Sequence, residues 1–203
     1  MADGICSLYT RWDQEDFDPR ALESVMSRFG ASLVFPGTKD VVTLTQEGEQ
    51  RRCDRAEFVG QVRSHESTSF QWWINDGEDV YCRLRWGGTN CVVEFGLDGL
   101  DASQMRRFIE CIISYAKEVA DSGCFLGLLV EFEMDAGGFD WDAYFLKGGF
   151  LIKFFPAILG LPIERESDVP PTYKHVRRIG NVVFYFNDSF EFTGDCLSFQ
   201  FAQ

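Results

Sequence analysis

The chain has 203 residues, 45% of them hydrophobic and 25% charged, which suits one globular domain with a substantial core and argues against disorder. Its formal charge of −13, with an isoelectric point near 4.5, disfavours phosphate backbones and anionic membranes as partners and favours basic proteins. Twenty phenylalanines supply the apolar volume, each stabilising by about 1.5–3 kcal/mol when fully buried.

In chain order, Asp18 is placed to cap a first helix, with Pro19 at its first position. Leu22, Val25, Met26 and Phe29 form its apolar face, and Gly30 ends it. Residues 33–35 and 41–45 read as a strand pair joined through Pro36-Gly37. Asp54, with Glu57 three residues on, opens a short helix burying Phe58 and Val62. The centre is an antiparallel meander: Phe70, Trp72 and Ile74 alternate with polar or outward positions, as do Val80, Cys82, Leu84 and Trp86, before the turn at Gly87-Gly88 and a strand over 91–95. Trp72 and Trp73 point to opposite faces, and a helix is expected to cover Trp73.

The longest helix spans about 102–122, with Asp101 as cap, Gly123 as stop and Met105, Phe108, Ile109, Ile112, Ala116 and Val119 on one face. Residues 125–132 are almost continuously apolar, the pattern of a central strand buried on both faces. The last third suggests a hairpin of 182–186 with 190–192, a strand over 196–201, and a polar loop over 164–172. The sum is an α+β domain over 1–203: a mostly antiparallel sheet with one long and two shorter helices packed on it.

Signs of catalysis are sparse. The two histidines, His65 and His175, read as surface residues, and no nucleophile elbow, phosphate loop, zinc-protease helix or dinucleotide fingerprint is present. Seven cysteines, odd in number and without C-x-x-C spacing, fit apolar positions rather than a disulfide framework or zinc site. With no basic-apolar leader, the expected compartment is the reducing cytoplasm. No cofactor is expected, and the chain reads as a binding protein rather than an enzyme.

Two acidic segments hold aromatic residues, the combination that anchors and steers protein partners. One comprises Trp12, Asp13, Glu15 and Asp16, with Phe17 and Asp18. The other comprises Glu131, Glu133, Asp135, Asp140, Trp141 and Asp142. Its five carboxylates in twelve residues also suit a hard divalent cation, so a metal-dependent enzyme is one alternative. A small-ligand sensor with a Phe-lined pocket is another.

The acidic single-domain pattern and the run Trp86-Gly87-Gly88, a match to the Trp-x-Gly motif of some families, resemble the immunity proteins of bacterial toxin and type VI secretion systems. The resemblance implies a stoichiometric inhibitor of a cognate basic toxin. A nuclease, which needs a basic cleft for phosphates, is the toxin best matched to an acidic cytoplasmic inhibitor. Oligomeric state is not implied.

Overall fold

The computed structural model describes residues 4–132, 139–148, 152, 156–169, 173 and 175–187, with the backbone of 190–193 and 196–199. Among them ten strands form one sheet. In chain order these are β1 (Gly4–Thr10), β2 (Val41–Leu44), β3 (Gln50–Cys53), β4 (Ser67–Trp73), β5 (Asp79–Gly87), β6 (Asn90–Gly96), β7 (Phe125–Phe132), β8 (Ile158–Pro162), β9 (His175–Ile179) and β10 (Val182–Phe186). Their spatial order is β3-β2-β4-β5-β6-β1-β7-β8-β10-β9, with neighbours antiparallel throughout. The expected α+β class with a large antiparallel sheet is therefore the observed one.

Three helices cover one face: α1 (Arg20–Phe29), α2 (Arg55–Ser64) and α3 (Ala102–Asp121). Their ends follow local chemistry. The Asp18 carboxylate accepts the Arg20 N–H at the start of α1, and Gly30 closes that helix at φ 103°, where a Cβ would be strained. Asp54 accepts from Glu57 N–H, while Asp101 and Gln104 form a reciprocal capping box on α3. Between sheet and helices lie Leu8, Leu84, Phe95, Met26, Phe58 and Ile112, all at 1% exposure or less. Phe108 of α3 stands edge-on to Phe29 and Phe95, with ring centroids 5.3 and 5.2 Å away.

A fourth helix, α4 (Trp141–Lys147), lies on the other face and begins within the second acidic segment, where no helix was expected. Its Trp141, Tyr144 and Phe145 close a second core over Tyr9, Leu129, Leu159 and Val183. The sheet is thus buried on both faces at β1, β7 and β8, as the unbroken apolar run of β7 requires.

Several pairings differ from expectation. Residues 33–35 contribute only a bridge from Val34 to Val41, and β2 pairs instead with the polar strand β3. Three of the four β3 residues are exposed, so no period-two signal marks it. Strand β10 does not pair with 190–192: β8 and β9 already take both its edges, and Phe190–Thr193 (β11) pairs with Cys196–Phe199 (β12) in a separate two-stranded sheet. A 3-10 helix, Ile163–Asp168, takes up the first part of the expected 164–172 loop. Trp73 is covered by the Phe35 ring at 4.7 Å, with the Arg52 guanidinium over that ring, rather than by a helix. No helix among the described residues is long and apolar enough to cross a membrane.

Candidate partner-binding surface

The first acidic segment leaves the sheet at the end of β1, where the Arg11 N–H bonds the Cys124 carbonyl at 2.7 Å. Phe17, 4% exposed, turns inward and meets Trp86 edge-on at 5.8 Å, while Trp12 packs against Phe17 and stays half-buried. The Gln14 amide donates to the carbonyls of Val62 and His65 at the end of α2, and Arg63 donates to the Phe17 carbonyl. The Asp13 carboxylate accepts the Glu15 N–H at 3.0 Å. These bonds hold the turn to the body of the protein. The side chains of Asp13, Glu15 and Asp16 stay exposed, with no ion-pair partner among the described residues. Asp18 is engaged by Arg20, whose hydrogen bonds hold its carboxyl below the usual value. A shallow groove of about 640 Å³, bordered by Asp16, Asp18, Glu23, Arg20, Arg55 and Arg63, runs beside the turn.

The second segment is differently used. Glu133 and Asp135 lie outside the described residues. Trp141 is only 7% exposed, so its ring is a core contact and not the outward anchor expected from its acidic neighbours. The reason is amphipathic: Trp141, Tyr144 and Phe145 share the face of α4 that meets the sheet. The indole N–H donates to Glu131 at 3.2 Å, and burial raises the Glu131 carboxyl against that bond. Asp140 caps α4 by accepting the Ala143 N–H.

Asp142 sits in a cluster invisible to sequence reading. Arg85 reaches it through two nitrogens at 2.7 and 3.2 Å and binds Glu94 at 2.8 and 3.0 Å, and the Tyr9 hydroxyl donates to Asp142 at 3.0 Å. Burial alone would raise the Asp142 carboxyl, but the Arg85 bonds and charge outweigh it and hold the carboxyl below its usual value. The Asp142 bond, with help from Glu94, keeps Arg85 protonated against burial. β5 alternation turns Arg85 away from the larger core, but nothing local signals a partner 57 residues away.

The sign of the linkage follows from the lowered Asp142 value. Its contribution is present above the ordinary carboxylate range and is lost as pH falls through the folded value. With Asp142 more than a third exposed, solvent screening limits the Arg85 bridge to about 1 kcal/mol. Arg85→Met is therefore expected to lower stability by about that much at neutral pH and to flatten its decline in acid. Urea unfolding from neutral to acidic pH measures both.

The two acidic segments do not form one surface. In the β1–β7 register Thr10 lies opposite Phe125 and Gly4 opposite Phe132, so the segments leave opposite ends of β1. The second segment then turns back over the sheet as α4, where Asp142 meets Tyr9 near the end of β1, so what divides the two is the sheet itself. Phe17 and Trp141 also enter opposite faces of the sheet.

No family model matches the chain, and no curated protein or solved structure matches it either. Function therefore has to be read from the residues themselves. Among those described, no three of His, Cys, Asp or Glu come together in a way that would hold a metal ion. His65 is exposed and His175 is half-buried on β9. Cys6, Cys82 and Cys91 are wholly buried, and burial pushes their thiols far up, away from the reactive thiolate.

Proposed function

We propose that this protein acts by stoichiometric binding, as an immunity-type inhibitor that covers the basic, phosphate-holding cleft of a nuclease toxin in the cytoplasm. The contact is led by Trp12, Asp13, Glu15 and Asp16. The observation that carries the reading is the unpaired acidic trio on a turn pinned to α2 and the sheet, in a chain of charge −13. A pinned turn loses little conformational freedom on docking, and half-buried Trp12 offers apolar area within the ring of charge. The long-range field speeds encounter with a cationic cleft.

The second segment contributes less in this reading. Glu131, Asp140 and Asp142 are committed to Trp141, the α4 cap and Arg85. Those commitments also leave the metal-dependent alternative without free ligands among its described residues.

Co-expression tests the proposal. The product of the adjoining gene, toxic when expressed alone, should be tolerated when this chain is present and should co-purify with it in equimolar amount. Toxicity that persists beside soluble, folded inhibitor would sink the idea.

A further inference from the structure

We infer a binding site for a small organic monocarboxylate in a second cleft, independent of the inhibitor reading. The cleft, about 800 Å³, opens where β7 begins, between the end of α3, the last turn of α4 and the 3-10 helix. Its volume is that of a small-molecule site. Phe145, 4% exposed, and Leu126 form an apolar floor on the α4 face, and Phe125, 5% exposed, borders it from the other face at the end of β7.

The polar lining identifies the ligand's head group. Arg11, at the rim, is the one arginine among the described residues whose guanidinium has neither a hydrogen-bond nor an ion-pair partner. That is notable in a chain with 32 acidic residues against 19 basic ones, where carboxylates abound to pair with arginine. The main chain of Arg11 is nevertheless held by Cys124. The side-chain amides of Asn90 and Asn181, on the same lining, also make no hydrogen bond to the described protein. The Arg11 guanidinium fork with the Asn90 amide on the adjacent strand matches a planar carboxylate, while Asn181, three strands from β1 and roughly 14 Å away, faces the other end of the cleft, where the apolar body would lie.

Among the described residues of the lining, the remaining charges favour an anion with one negative charge. Arg165, also on the lining, is already neutralised by Asp168 at 2.9 Å and lies over the Tyr144 ring. Glu164 adds an exposed carboxylate, and Ala120 and Gly123 bring the negative end of α3 to the wall. A phosphate dianion would meet more repulsion there than one arginine offsets.

Titration of the full chain with phenylacetate, indole-3-acetate and hexanoate, followed by NMR and calorimetry, tests the site. At least one should bind saturably with a millimolar or tighter Kd. The exposed substitution Arg11→Gln should weaken it by about tenfold or more while leaving thermal unfolding unchanged. Leu126→Glu, which places a charge on the floor, should abolish binding. 2-Phenylethanol, lacking the charge, and inorganic phosphate, lacking the body, should bind about tenfold more weakly than the best acid. The proposal is overturned if none of the three acids saturates, if Arg11→Gln binds as the parent does, or if the alcohol or phosphate binds equally well. None of these outcomes bears on toxin inhibition, which has its own assay.

Discussion

Phe145→Ala is expected to cost about 3–5 kcal/mol, a large part of the stability of a single domain. The ring is 4% exposed, stacks on Tyr9 with centroids 4.3 Å apart, and lies against Trp141 and Tyr144. It also fills the space above Gly127, where a Cβ would stand 1.9 Å from the ring. Gly127 is therefore a consequence of Phe145: the strand lacks a side chain so that α4 can approach.

Gly127→Ala alone should destabilise by about 1–3 kcal/mol by forcing the ring out. In the Phe145→Ala background the same change should be neutral or stabilising, because the space is empty and alanine suits a strand better than glycine. The resulting coupling of a kcal/mol or more is measurable by urea unfolding of the four proteins. Gly127→Ala without cost in the parent would mean that α4 is not seated as described.

The second large effect concerns association. In the combined variant Asp13→Asn, Glu15→Lys, Asp16→Lys, asparagine keeps the oxygen that accepts the Glu15 N–H, so the turn should survive. The net charge moves from −13 to −8, one unit from the asparagine and two from each lysine. With the basic protein recovered by co-expression, the association rate at low salt should fall by about 10- to 1,000-fold, and its salt dependence should flatten. Asp140→Asn, at the start of α4 on the other face of the sheet, removes one charge and preserves the cap; it should leave the rate nearly unchanged. Equal losses per unit of charge, so that the logarithmic loss in Asp140→Asn is about a fifth of that in the triple variant, would mean that net charge alone governs the encounter and that the turn has no special part.

Helices α1, α2 and α3 were legible in the sequence because their determinants are local, whereas the short α4 was not, since its apolar face shows only against the sheet. The Asp101–Gln104 box, the Gly30 stop and the three- and four-residue apolar steps of α1 and α3 lie within a few turns of the chain they organise. The β4–β5–β6 meander was legible for a similar reason, since short turns join strands that alternate. Strand β1 was not recognised, although it stands at the centre of the sheet: seven residues with Ser7 and Thr10 among them carry a weak pattern. β8 was hidden inside a longer apolar run, and β3 and β9 are edge strands with mostly polar or half-exposed side chains.

For the acidic turn, the sequence by itself determined the density of charge and its mixture with Trp12 and Phe17. Only the tertiary structure decided which charges stay free. Asp142 and Asp16 are the same residue type beside an aromatic, yet one meets Arg85 from β5 and the other meets solvent. Likewise Trp141 and Trp12 both stand among acids, but a complete apolar helix face draws Trp141 into a core while a pinned turn leaves Trp12 half outside. Composition counts charges wherever they lie. Compensation and burial depend on what the fold brings opposite each side chain, and those partners stand tens of residues away along the chain.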